Sequence, residues 1–412
     1  MTGPPAEGPP SPYLQVGLLF VCEALTRTSA VILLTTMGLA GSRLTPDPSL
    51  TTLPLALVPV ATTLTTIPAA HWMRRHGRRT GFLTGGGLGV AGAAVAAAAA
   101  WHGEFLLLCA GALLIGTVNG FATYYRFAAA EVSPPAFRSR AISLVMAGGV
   151  IAAVAGATMA AETRFLWEGR EFAGSFGCIV VLQALILLVM SFTRLPPPTP
   201  RSEAGGGRPL TRIAAHPTFR MALLGGVASW GLMSLLMNAT PLSMERHHHA
   251  FHDTARVIQW HVLGMYVPSF FTGSIVQRVG ERPVMFAGIL LIGVSALVNL
   301  GGTEVAWYMT GLTLLGVGWN FLFVSCTSLL TGTYSGEGEK TRVQSANDFL
   351  IFATMILSSF SSGALEARIG WYQLNLAALA ATALVAATLA GLAWRERRLA
   401  GEEARHAAPE PR

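Results

Sequence analysis

The chain is 412 residues long, 52% hydrophobic and only 12% charged, with a mean hydropathy of +0.51. Soluble domains carry roughly 25% charged residues, so an ordinary two- or three-domain soluble protein is excluded and a chain embedded in lipid is indicated. Its net charge of +7 and pI of about 9.7 would suit nucleic acid only if the basic residues formed one patch, and they are spread over short loops instead. Cys22, Cys109, Cys178 and Cys326 stand in apolar runs without CxxC spacing, which argues against a disulfide framework or a zinc module.

A helix needs roughly 20 apolar residues to cross about 30 Å of hydrocarbon. Twelve such stretches are predicted, at 14–39, 52–73, 80–100, 105–126, 139–161, 171–193, 219–244, 255–276, 284–301, 305–331, 344–363 and 371–394. The start, MTGPPAEGPPSPY, has no basic region before the first apolar run and no small-residue cleavage site, so the first span reads as retained. With the N-terminus inside, 21 of the 28 Lys and Arg fall on the cytoplasmic side. Arg43, Arg164, Arg170, Arg246, Arg256 and Arg368 fall outside, and Arg27 lies within the membrane. That asymmetry predicts cytoplasmic N- and C-termini.

Along the chain, span 1 carries Glu23 and Arg27 at i, i+4. Intramembrane charge is costly, so the pair is expected either to gate or couple transport, with Glu23 taking a proton, or to pin span 1 as a fixed ion pair. Asn119, Tyr124, Tyr125 and Arg126 on span 4, Asn320 on span 10, and Asn347 with Asp348 on span 11 place polar groups near the inner ends. They are expected to line an exit or to hold helices together by interhelical hydrogen bonds. The Pro-, Gly- and Arg-rich stretch after span 6 reads as a linker, giving a six-helix half 1–193, a linker 194–218 and a second half with a cytoplasmic tail, 219–412. The halves echo each other. Ala70-His-Trp-Met-Arg-Arg-His-Gly77-Arg-Arg79 after span 2 matches Gly273-Ser-Ile-Val-Gln-Arg-Val-Gly280-Glu-Arg282 after span 8, about 203 residues later, and GTVNGF (116–121) on span 4 matches GVGWNF (316–321) on span 10.

Soft donors gather on spans 7 and 8. Met221, Met233, Met237, Met244 and Met265 are five of the 14 methionines, and five of the ten histidines lie between 247 and 261. Met233 and Met237 are i and i+4, so their thioethers share one helical face; His261 and Met265 repeat the spacing on the next helix. Such Met pairs also serve as plain packing. As ligands, thioether and imidazole without carboxylate suit Cu(I), with imidazole also acceptable to Cu(II); Mg²⁺, Ca²⁺ and Mn²⁺ want oxygen, and Zn²⁺ binds thioether poorly. The outer tract His247, His248, His249 and His252 can collect copper at the mouth of a path or simply be a solvated loop. Cys22 and Cys326 are candidates for a Cu(I) relay or for small packing residues.

Twelve spans, the 6+6 division and the paired loops resemble the major facilitator superfamily over essentially the whole chain. Ala70 and Arg74 stand where that family carries Gly and Asp, and Gln277 replaces the second Asp. The resemblance implies an all-α membrane protein of two pseudo-symmetric six-helix halves, with alternating access around a site near the midplane between them. Met233-x-x-x-Met237 with His261-x-x-x-Met265 resembles the CcoA-type bacterial copper importers. That implies copper import across the inner membrane for assembly of a cbb3-type cytochrome c oxidase, with these residues as ligands. Copper is then cargo rather than cofactor; the bilayer and a cytoplasmic copper chaperone are the expected partners, nucleic acid is not, and a monomer is expected. Two other readings stay open: a riboflavin-like vitamin carrier of the same fold, and a copper-sensing membrane receptor without net flux. No P-loop and no aqueous nucleophile–base–acid set is present, so an enzyme is not expected.

Overall fold

A computed structural model of the chain describes residues 11–134, 137, 141, 144–195, 207–335 and 337–406. Residues 196–206 of the expected linker, together with Arg138 and Arg140 of the basic inner loops, lie outside the described residues. Within them the chain is all helix: α1 (Pro12–Leu44), α2 (Leu53–His76), α3 (Arg78–His102), α4 (Phe105–Ala122), α5 (Tyr125–Glu131), α6 (Gly148–Thr163), α7 (Ala173–Ser191), α8 (Leu210–Ala214), α9 (Pro217–Arg246), α10 (Phe251–Tyr266), α11 (Ser269–Val279), α12 (Glu281–Asn299), α13 (Val305–Thr331) and α14 (Glu337–His406). Lipid offers no water to satisfy N–H and C=O groups, so a spanning backbone must bond to itself, and a helix does this within each segment.

Ten helices among the described residues are long and apolar enough to cross a membrane. The expected count of twelve differs at two places, each with a backbone cause. The predicted span 255–276 is split into α10 and α11 around Pro268, whose ring carries no N–H to continue the helical ladder. The last two predicted spans run together as α14, which is two helices joined at the non-helical Gly370 (φ 75°, ψ 172°).

The chain forms two compact units, Met1–Arg201 with Ala250–Gln259, and Ser202–His249 with Trp260–Arg412. In the first, α4 packs on α2 and α3, α3 on α7, and α1 on α6 and α7. Buried Arg164 donates through Nε to Glu171 Oε1 at 2.7 Å. Its guanidinium lies 4.7, 5.0 and 4.3 Å from the rings of Phe165, Phe172 and Phe251, so a buried cation holds the start of α10. In the second unit α9 packs on α13 and α14, and α12 packs on the same two helices.

The internal repeat is visible in the backbone. Gly77 (φ 87°, ψ 156°) and Gly280 (φ 89°, ψ 162°) make the same turn, one that a side chain would strain. Gly116 and Gly316 make the same close contact: an added Cβ would meet Val58 O of α2 at 2.4 Å in one case and His261 O of α10 at 2.4 Å in the other. Each half therefore seats its fourth span against its second through a glycine.

At one end of the second unit, Glu339 accepts from Arg208 N at 2.7 Å, from Arg208 Nε at 3.0 Å and from Ser335 N at 2.9 Å. These donors, the Arg208 side chain foremost, hold the Glu339 carboxyl well below the usual carboxylate range. A depressed acid contributes stability above its unfolded pKa and loses it as pH falls through the folded one. Protection of 207–214 in hydrogen exchange should therefore stay flat down through the usual carboxylate range and fall only in strong acid. Glu339→Gln should open the segment at neutral pH, read as faster tryptic cleavage after Arg212; unchanged cleavage would show that the contact holds nothing.

Candidate functional site

The site is assembled on α13. α10 stops at Pro268, and Val267 is the last residue to donate along it, to Leu263 O at 2.9 Å. The Met265 carbonyl at this break would otherwise be short of donors. Asn320 of α13, fully buried, supplies one: its Nδ2 donates to Met265 O at 2.7 Å and to Ser269 Oγ at 2.6 Å, and its Oδ1 accepts from Thr272 Oγ1 at 2.6 Å. One amide thus bridges α10 and α11 and fixes the backbone of Met265.

Leu312, Gly316 and Asn320 follow at i, i+4 and i+8, one side of α13. Gly316 lets α10 approach until an added Cβ would stand 3.0 Å from Met265 N. Leu312 O accepts from His261 Nδ1 at 2.8 Å. A carbonyl can only accept, so Nδ1 carries a proton, and in a neutral ring the lone pair is then at Nε2. Nε2 is buried without a partner, and His261 itself is 0% exposed. Metal-ligating histidines are commonly oriented in this way, through the second ring nitrogen.

Met233 and Met237 are buried on α9, as Met265 is on α10. Trp230, three and seven residues before the two methionines, shares their side of α9. Its ring lies edge-on to Trp319 of α13 at 4.9 Å and to Phe323 at 5.6 Å, while Trp319 and Phe323 are stacked at 5.2 Å. Trp319 Nε1 is a second buried polar atom without a partner. α13 thus meets Trp230 from α9, and His261 and the Met265 backbone from α10. Asn320, singled out in the sequence for an interhelical hydrogen bond, makes three polar contacts across to α10 and α11, and Pro268 is the sequence signal for why they are needed there.

The repeat sharpens which residues are unusual. At the offset that aligns Gly77 with Gly280, His261 corresponds to Val58 and Met265 to Thr62. Thr62 Oγ1 donates to Val58 O and to Gly116 O, both at 2.9 Å, an all-structural arrangement. The second half keeps the glycine contact and replaces Val and Thr with two metal-competent side chains.

Other predicted residues fall elsewhere. Glu23 and Arg27 do pair, Nε to Oε1 at 2.7 Å, with Glu23 buried. Cys22 packs among Leu19, Phe121 and Tyr125, and Cys326 fills the notch at Gly225, where an added Cβ would be 2.3 Å from its sulfur. Both positions are those of packing residues. Asn119 is half-buried on α4; Arg126 is exposed on α5 with its guanidinium 5.0 Å from the Phe127 ring; Asp348 is exposed on α14 and accepts from Asn347 Nδ2 at 3.2 Å. Asn119 and Arg126 belong to the first unit, the Met and His pairs to the second.

The outer histidines make separate polar contacts. Among the described residues no three His, Cys, Asp or Glu are grouped as for a metal ion. His248 takes a left-handed turn (φ 62°), and its two neighbours both meet Tyr308, His247 at the hydroxyl and His249 edge-on with ring centroids 5.8 Å apart. His247 Nδ1 is 2.7 Å from Ser243 O and 3.2 Å from Tyr308 Oη, His249 is bonded to Thr303 O, and His252 is exposed at the start of α10.

Membrane-length helices in two halves with matching turns and matching glycine contacts define a polytopic membrane protein of the carrier class. The Major Facilitator Superfamily model matches residues 18–258, and the chain belongs to that family. It is 38% identical over 370 residues, 89% of this chain and 93% of the relative, to the riboflavin transporter RfnT of Brucella anthropi. Two solved structures share the fold. The peptide transporter PepTSo of the POT family superposes with a TM-score of 0.70 at 12% identity, covering 95% of this chain and 99% of that one. A bacterial homologue of the lysosomal transporter Spinster superposes at 0.65 with 15% identity, covering 93% and 95%. None of these names copper, and RfnT speaks for the vitamin reading.

Proposed function

We propose that this carrier imports copper across the bacterial inner membrane by alternating access, with Met233, Met237, His261 and Met265 ligating the ion in transit. The observation that carries this reading is the backbone-oriented imidazole of His261, whose Nε2 is buried without a partner one helical turn before Met265. Weak, soft ligation suits a carrier, because a site that binds too tightly does not release. The cytoplasmic termini, delivery to a chaperone and onward to a cbb3-type oxidase, and a coupling role for Glu23 with Arg27 belong to the same proposal.

A second reading has its own support. RfnT at 38% identity favours an organic solute of the riboflavin kind, and it supports that reading more directly than it supports copper. The Trp230, Trp319 and Phe323 cluster offers rings on which a planar ring system can stack. Uptake of radioactive copper and of labelled riboflavin, measured in parallel in cells expressing wild type and Met233→Ala/Met237→Ala, separates the two. Copper uptake that collapses in the variant supports the first reading. Riboflavin uptake indifferent to the variant, with no copper accumulation, supports the second. Copper binding without accumulation in wild type would point to a sensor.

A further inference from the structure

We propose that a groove at the end of α2 holds the phosphate headgroup of an anionic phospholipid. The groove encloses about 430 Å³ and is lined by Pro68, His71, Trp72, Arg75 and His76. It is independent of the Met and His pairs and belongs to the other unit.

One side of α2 is committed to packing: Thr62 bonds to α4, Thr66 O accepts from Tyr124 Oη at 3.1 Å, and Ala69 and Met73 are buried. The opposite side carries Leu64, Ile67, Pro68, His71 and Arg75 at helical spacing. Leu64 and Ile67 are 70% and 69% exposed, an apolar stripe that meets acyl chains in a bilayer. Within one turn the stripe becomes basic and aromatic. Trp72 is 42% exposed, a residue type and exposure suited to the headgroup boundary.

The polar lining is held in place. The His76 ring lies 4.1 Å from that of Trp72, and its Nδ1 is 3.2 Å from Trp72 O; His71 Nδ1 is 3.0 Å from Ile67 O. The neighbouring arginines are engaged elsewhere, Arg78 with Glu131, and Arg79 with the carbonyls of Met190 and Ser191. Arg75 is exposed and makes no such bond to the described residues, so its charge is available to a ligand. A phosphate with acyl chains covers both the cationic groove and the apolar stripe that leads into it, whereas inorganic phosphate would cover only the first. That continuity identifies the ligand as a lipid.

The test is lipid retention by the purified full chain, extracted from bilayers of equal phosphatidylglycerol and phosphatidylcholine and weighed by native mass spectrometry. Wild type should retain phosphatidylglycerol preferentially. Arg75→Gln should lower that retention about five-fold, the effect of one basic group near an anionic surface, and Arg75→Lys should restore most of it. All three residues of the triple variant His71→Gln/Arg75→Gln/His76→Gln are exposed, so folding should survive and selectivity should vanish. Equal retention in wild type and the triple variant would overturn the proposal. So would displacement of the lipid by millimolar inorganic phosphate with no dependence on acyl chains.

Discussion

His261→Ala should lower copper accumulation by about 100-fold, the upper end of what loss of a group controlling a metal site costs, while leaving the protein in the membrane at near wild-type level. The substitution removes the bond from Nδ1 to Leu312 O and a buried ring, together about 1–3 kcal/mol of stability. That lowers the melting temperature without emptying the membrane of folded carrier. His261→Met restores a soft donor at the same position and should recover part of the uptake. Quantified uptake normalised to membrane-inserted protein checks both. Full uptake in His261→Ala would remove the imidazole from the transport path.

The second large effect concerns a residue that touches no cargo. In Gly316→Val, Cβ alone would stand 2.4 Å from His261 O and 3.0 Å from Met265 N. Both are backbone atoms and cannot rotate away, so α10 must move off α13, taking both ligands with it. Overpacking of this kind costs about 1–3 kcal/mol. Gly116→Val supplies the control, because its Cβ meets Val58 O of α2 at the same 2.4 Å and no candidate ligand lies there. Both variants should lose thermal stability to a similar degree in detergent. Only Gly316→Val should lose Ag(I) binding, with Ag(I) standing in for Cu(I) in a fluorescence titration. Equal loss of binding in both would mean that general packing, rather than placement of His261 and Met265, explains the effect.

Much of this was legible because lipid enforces strong patterns. Apolar runs long enough to span, separated by basic loops, fix helices with little ambiguity. The spacing between Gly77 and Gly280 exposed the repeat because such turns tolerate few other residues. The Met and His pairs were legible as helical faces, since i, i+4 spacing is read without coordinates. What escaped depended on tertiary context. The split at Pro268 was hidden by the apolar residues around it; the interhelical role of Asn320 was expected, but not that its partner would be the carbonyl left by a broken helix. The outer histidines are adjacent in sequence, but that His247 and His249 both rest on Tyr308 could not be read from it. Cys22 and Cys326 read from sequence as either a relay or packing residues, and both are buried, Cys326 against Gly225.

The comparison of His261 and Met265 with Val58 and Thr62 links fold to function most economically. Two related halves solve the same packing problem, and only one places an imidazole and a thioether at the solution. That asymmetry suits the soft cargo proposed, while the Trp230, Trp319 and Phe323 rings suit the planar cargo of the second reading.

Purified protein in liposomes, assayed side by side for radioactive copper and labelled riboflavin, tests the central claim most directly. The account predicts copper accumulation in wild-type vesicles, its near-complete loss in His261→Ala, and no riboflavin accumulation in either. Riboflavin accumulating at the same rate in wild type and His261→Ala, with copper at background in both, would contradict it.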